Sequence, residues 1–472
     1  MRKLRKVVLI LFLFLFSGLT LFFQGSRKLS DKSPISSSQI DDDNDYMFIW
    51  DEFKNASADI KGDDSLVFGP SLGNYHNYTE IKYKINNLEI NFPEMIEVFS
   101  IGTTYLGHDI YAVRITNEEI NTKKKEILIV AQHHAREQIT VENALYFIDK
   151  IINDTINQDE NIINLLNEKE IFVIPSLNID GSLLISSFPW QRKTVSGLNL
   201  NGGELIDKLS LTIPEIEPKD IDGDGYISVF YSDNDNKYAI NSGYEGEDLN
   251  DNEIIGEDVF GGTDPNRNYD HDFGNPSYST SLPESQIYHG EKPFSEKCTK
   301  NLKNFIEDHS FETVVSLHSG IQAIYYPQVY EFNQKYKEEF DVKNYENITS
   351  SLANILGFSS SIILFEAGMF SPWMYWENRD NRIAICLETY GNNSALKITH
   401  DLSTGLYEQW GIWDFFNPPA NKVIENSELI FKGLLHLAEH TNPELKKIPG
   451  YEPFHFIMFF VGSIYIISKK KK

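Results

Sequence analysis

A histidine and an acid three residues apart put two metal-ligating side chains on one turn. This chain has three such pairs: His134/Glu137, His309/Glu312 and His436/Glu439. With 12 His and 69 Asp or Glu among 472 residues, roughly two such pairs arise by chance, so the setting must decide between them. His436–His440 (HLAEH) also matches an inverted zincin pattern, but only a linker and a tail follow it, and it reads as the polar edge of a terminal helix. His309/Glu312 closes a helix-like run before a strand, where a histidine complements the helix dipole. His134/Glu137 is set differently. The apolar run EILIVAQ (126–132) leads into HHARE, and a helix-like segment begins at Gln138. That puts two ligands at the C-terminal end of a strand, where α/β folds build their sites. His133 competes for the role, but the residue three further on is Arg136, which favours His134. A second strand-like run, TVVSLHSG, ends in the same way at His318. Two histidines and one carboxylate leave the fourth position of a tetrahedral Zn²⁺ open for water.

The elements that must position these residues alternate between strand and helix from about Tyr75. Strands are expected at 96–102, 109–115, 126–132, 171–177, 313–318, 362–365 and 383–389, and helices at 139–153, 296–309, 334–356 and 420–440. Several strands are continuously apolar, as in a sheet covered on both faces. The expected fold is α/β: a mixed, mostly parallel central sheet flanked by helices on both faces. Residues 73–442 are assigned to this domain. The Asp/Gly/Asn-rich stretch 204–262, with little periodicity, reads as an insertion.

The formal charge is -27, with six Lys/Arg and no acid in the first 30 residues and lysine at the last four positions. Setting those ten positive charges aside takes the remainder to -37. So acidic a body repels phosphate and argues against nucleic-acid binding. Hydrophobic residues at 41% suffice for a large core, and two cysteines cannot staple a secreted framework. Val7–Phe23 is uncharged and resembles a signal peptide or signal anchor, so 1–30 is read as an export signal and 31–72 as an acidic tether. Beyond a linker at 443–453, Phe454–Ser468 runs into Lys469–Lys472, as a membrane anchor or sorting tail does. At 1.5 Å per residue the two apolar runs reach roughly 25 and 22 Å, against a hydrocarbon core of about 30 Å. Positive flanks at both ends predict an exported, membrane-anchored chain with its acidic middle outside.

Seven short segments, in order, resemble the zinc carboxypeptidase family of carboxypeptidase A type over about residues 75–442. They are HARE (134–137), LNIDG (177–181), WQRKT (190–194), DPNRN (264–268), YHG (288–290), SLHS (316–319) and ICLET (385–389). The resemblance implies one catalytic Zn²⁺ held by His134, Glu137 and His318, lowering the pKa of bound water towards about 7. It implies Glu388 as the base that takes the water's proton and delivers it to the leaving amine. Arg192 would supply positive charge where the oxyanion develops. Asn266 and Arg267 would clamp the terminal carboxylate of a peptide, with Arg136 helping to steer it. Asp264 would orient a zinc histidine. Two departures stand out. The family's substrate-binding tyrosine falls near Phe365, which has no hydroxyl; Tyr375 or Tyr390 are the candidates to replace it. The family's D-W pair becomes Pro372–Trp373, and no acid stands at Ser371, Pro372 or Trp373. A preference for C-terminal Lys or Arg is therefore not expected, although Glu366 lies nearby.

The insertion carries a separate signal. DIDGDGYIS (Asp220–Ser228) places Asp220, Asp222 and Asp224 at loop positions 1, 3 and 5 with glycine at 6, the front half of a Ca²⁺ loop. Position 12 is Tyr231, so the usual bidentate acid is missing; Asp248, Asn250 and Asn252 form a looser version. The expected activity is removal of C-terminal residues from extracellular peptides or proteins. The alternatives are a zinc amidase or deacylase of the same fold acting on small carboxylates or cell-wall peptides, and a degenerate calcium-binding surface module.

Overall fold

A computed structural model describes residues 75–185, 189–195, 229–232, 262–283, 285–328, 339–363, 366–376, 383–401 and 406–440. The two terminal segments, Phe365 and the candidate Ca²⁺ residues Asp220, Asp222, Asp224, Asp248, Asn250 and Asn252 lie outside the described residues. Among the described residues no helix is long and apolar enough to cross a membrane.

Eight strands make one sheet: β1 (Ile96–Thr103), β2 (Asp109–Ile115), β3 (Lys125–Val130), β4 (Lys169–Ile174), β5 (Phe311–His318), β6 (Ile321–Tyr326), β7 (Ser359–Ile362) and β8 (Ile383–Tyr390). Their order is β1-β2-β4-β3-β5-β8-β6-β7. The middle four, β4, β3, β5 and β8, are mutually parallel, while antiparallel pairs join β1 to β2, β2 to β4 and β8 to β6. Burial follows from this arrangement. From Ile127 to Val130 and from Thr313 to His318 every residue is buried, whichever way it points, so both sheet faces are covered. The seven longer helices are α1 (Tyr78–Asn91), α2 (Ile139–Ile156), α3 (Glu160–Glu168), α4 (Lys297–Glu307), α5 (Glu339–Leu356), α6 (Phe370–Trp376) and α7 (Val423–His440). A separate three-stranded antiparallel sheet has Leu406–Trp410 between Lys397–Asp401 and Val229–Ser232.

Two features of the sheet position the site. In the β5/β8 register His318 lies directly beside Glu388. Immediately after His318, the chain reverses through Ser319–Gly320 into β6. Gly320 has φ +138°, and a Cβ there would meet Phe416 at 2.9 Å, so the reversal needs glycine.

Candidate active site

The first pair of candidate ligands stands on a sharp turn after β3. Gln132 adopts φ 57°, a left-handed conformation that is strained for a side chain with a Cβ. Its own amide offsets that strain. Nε2 donates to Ala135 O at 3.0 Å and to Gln138 Oε1 at 2.7 Å, and Oε1 accepts from Ser176 Oγ at 2.5 Å. The start of α2 has no side-chain cap of its own; Asn417, far along the chain, accepts from Ile139 N–H at 2.9 Å. The turn thus brings His134 and Glu137 to the C-terminal edge of the parallel strands, beside His318.

The three side chains converge. Glu137 Oε1 is 2.6 Å from His134 Nδ1 and Glu137 Oε2 is 3.0 Å from His318 Nδ1, while the two Nδ1 atoms are 3.3 Å apart. All three residues are buried. Burial would raise the Glu137 carboxyl, but its close interactions with His134 and His318 outweigh that and hold the group far below its ordinary range. Burial also lowers His318, the direction that favours the neutral ring a metal ligand needs. On its far side His134 donates from Nε2 to Asp264 Oδ1 at 3.1 Å, which leaves the Nδ1 lone pair facing the cluster. Asp264 also accepts from Arg192 Nε at 2.9 Å through Oδ2. Its burial would raise it; Arg192, His134 and Arg267 together hold it well below the usual carboxylate range.

Glu388 faces the same space. Burial, then the nearby Glu137 charge, push its carboxyl well above the ordinary value, against the pull of Arg192. Its Oε2 is buried with no hydrogen-bond partner. The cavity holds about 570 Å³ and is lined by His134, Glu137, His318, Glu388, Arg192, Asn266 and Arg267. Its remaining wall is largely apolar or aromatic: Ile321, Tyr325, Ile362, Ile363, Met369, Cys386, Tyr278, Phe415 and Phe416. Arg267 donates from Nε to Tyr278 O at 2.7 Å and from Nη1 to Asn266 O at 2.6 Å. Those bonds fix the plane of its five-donor fork at the cavity wall. Gly368, with φ +70° and a Cβ position only 2.3 Å from Arg267 O, lets the next loop close over that backbone.

Residues 81–357, more than half of the chain, match the family described as zinc carboxypeptidase. The chain belongs to the zinc carboxypeptidase family. Carboxypeptidase A4 of Mus musculus is 24% identical over 379 residues, covering 79% of this chain and 72% of the relative. Carboxypeptidase A1 of Homo sapiens is 26% identical over 377 residues, covering 78% and 70%. Among solved structures, carboxypeptidase A from Helicoverpa armigera superposes with a TM-score of 0.55 at 16% identity, covering 84% of this chain and 81% of that one. Thrombin activatable fibrinolysis inhibitor gives 0.54 at 18%, covering 78% and 74%; at such identities the likeness is one of fold.

As a zinc metallocarboxypeptidase, the chain has a donor set that fits its metal. Ligands about 2.0–2.1 Å from a tetrahedral ion stand about 3.3 Å apart, matching the Nδ1–Nδ1 separation of 3.3 Å. Two neutral imidazoles and one carboxylate are the donors Zn²⁺ takes in hydrolases. The other two H-x-x-[DE] pairs are structural. His309 Nδ1 pairs with Glu126 Oε1 at 3.0 Å, and His436 stacks on His440 near the end of α7.

Some expected residues stand differently. The Arg136 guanidinium lies 4.3 Å from the Phe416 ring centroid and donates to Trp190 O at 3.1 Å, and it is not among the cavity-lining residues. Asn266 lines the cavity, but its Oδ1 accepts from Phe370 N–H at 2.9 Å. Neither Tyr375 nor Tyr390 lines the cavity; Tyr375 packs on Tyr345, and Tyr390 packs on the Tyr75–Ile139–Val423 cluster. Among the described residues the tyrosines on the wall are Tyr278 and Tyr325, which motif spacing does not single out.

Proposed function

We propose that this metallocarboxypeptidase cleaves the C-terminal peptide bond with Glu388 as general base and prefers apolar or aromatic C-terminal residues. The observation that carries the first half is Glu388: a carboxyl with one buried, unpartnered oxygen, in register with His318 and lining the same cavity as the His134–Glu137–His318 cluster. When bound, Zn²⁺ supplies a Lewis acid and a water acidified to a pKa of about 7. Glu388 would accept the proton of the attacking water at its carboxylate and return it to the leaving amine. Arg192, oriented by Asp264, offers fixed positive charge to the developing oxyanion. Arg267, and Asn266 beside it, receive the terminal carboxylate.

The wall composition supports the second half. Among the described lining residues the only acids are Glu137 and Glu388, and both face the cluster. Glu366 is already engaged, accepting from Gln328 N–H and pairing with His271 Nε2, each at 2.7 Å. A cationic C-terminal side chain therefore meets no counter-charge from the described residues of this wall.

Hydrolysis of blocked dipeptides ending in Phe, Leu, Lys or Glu tests both halves. Phe and Leu are expected to be released fastest, with loss on chelation and recovery with added Zn²⁺. Preferential release of Lys would overturn the specificity, and full activity in Glu388→Gln would overturn the base assignment. The charged, apolar chain ends support an exported location; tag accessibility to protease on intact cells tests that part separately.

A further inference from the structure

Adjacent histidines stand on the turn after β3, and only the second joins the ligand cluster. His133 is wholly buried, with 0% exposure, and its ring stacks on that of His318 at 5.4 Å and 26°. Its Nδ1 is 3.1 Å from Ser316 Oγ and its Nε2 is 3.0 Å from the Tyr269 hydroxyl. Ser316 Oγ is in turn 2.9 Å from His318 Nε2.

Proton positions follow from one constraint. His318 presents Nδ1 to Glu137 and His134, so a ligand at Nδ1 must carry its proton on Nε2. Asn266 Nδ2, at 3.3 Å from that Nε2, is itself a donor and cannot accept the proton, because the Asn266 oxygen is the atom facing Phe370 N–H. Ser316 Oγ therefore accepts. Its own hydroxyl proton has His133 Nδ1 within reach, which puts the His133 proton on Nε2, directed at the Tyr269 oxygen. Every bond in the row from His318 to Tyr269 then has one donor and one acceptor.

We infer that His133, with Ser316 and Tyr269, is a positioning relay behind His318 that fixes its Nε2–H tautomer and ring orientation and so tightens Zn²⁺ binding. His134 receives the same service from the Asp264 carboxylate; His318 receives it from a chain of neutral groups. The inference rests on His318 being a zinc ligand.

The test is the Zn²⁺ dissociation constant, measured by competition with a chromogenic chelator, with the melting temperature of the metal-free protein recorded alongside. Ser316→Ala and His133→Leu are each expected to weaken Zn²⁺ binding by about 10–100-fold, and the double variant to be no weaker than Ser316→Ala alone. His133→Asn, which keeps an acceptor near the Nδ1 position, is expected to recover most of the loss, and Tyr269→Phe to lose less than Ser316→Ala. Should His133→Leu fail to fold, Ser316→Ala and Tyr269→Phe still decide. Wild-type affinity in a folded Ser316→Ala protein, or losses that multiply in the double variant, would overturn the relay. A His318→Ala control separates the two claims: affinity retained there means that His318 is not a ligand, whereas affinity lost there but kept in Ser316→Ala refutes the relay alone.

Discussion

Glu388 combines a carboxyl pushed well above its ordinary value with a buried oxygen, Oε2, that has no hydrogen-bond partner. Replacing it by glutamine keeps the shape and removes the basicity, so kcat/KM for a blocked dipeptide is expected to fall by about 10²–10⁴-fold. The same substitution is expected to stabilise the metal-free protein at neutral pH. The Glu388 carboxyl is raised in the folded state above its ordinary value of 4.5, so the fold binds this proton more tightly than the unfolded chain does. The stability that proton confers is full below about pH 4.5 and is lost as pH rises through the folded pKa. A glutamine side chain has no such proton to lose. Melting in chelator should show Glu388→Gln above wild type at pH 7, with the gap closing as pH falls towards 4.5; a gap that widens on acidification would contradict the raised pKa. At this scale the clustering of His134, Glu137 and His318 was legible because strand, motif and order agreed. The partners of His133 and Glu366 were not, since Tyr269, Ser316, His271 and Gln328 meet them only through tertiary folding.

Elements with continuous apolar runs were readable in the sequence, and β3, β4, β5 and β8 lie close to their expected places. The expected strand at 362–365 is instead β7 at Ser359–Ile362, where three serines hide the pattern. Helix α1 went unread because its inner face includes Lys84, buried against Asp149 at 2.6 Å, and a lysine breaks an apolar stripe. β6 went unread because the two-residue reversal at Ser319–Gly320 leaves no loop signature. The turn after β3 makes its own prediction. Gln132 supplies three side-chain hydrogen bonds but occupies a left-handed position. Alanine loses the bonds and keeps the strain; glycine loses the bonds and relieves it. Gln132→Gly should therefore be the more stable of the two by about 1 kcal/mol, read by urea denaturation of the metal-free protein. Equal stabilities would mean that the turn relaxes when its amide is removed.

The described part of the molecule closes on its first two residues. The Tyr75 hydroxyl donates to Pro418 O, and its ring meets Trp413 edge-on at 5.3 Å. His76 gives its backbone N–H to Glu142 Oε1 at 2.6 Å, and its ring Nδ1 lies 2.9 Å from Oε2. Glu142 sits in the first turn of α2, is 0% exposed, and follows the HARE turn by five residues. A short N-terminal segment thus gives a buried carboxylate two hydrogen-bond partners beside the turn that carries His134 and Glu137, and ties α2 to the segment entering α7. If residues 73–442 are the catalytic unit, a chain cut to that range should keep its dipeptide hydrolysis and melting temperature. A chain starting at Asn77 deprives Glu142 of both His76 hydrogen bonds, a loss of about 1–3 kcal/mol, and should melt below the longer one. The comparison separates a boundary from a mere shortening, because the two chains differ by four residues while the longer one already lacks the first 72. If both melt together, Glu142 has another partner and the domain begins further in. If the longer chain has already lost its activity, residues before position 73 contribute to the fold.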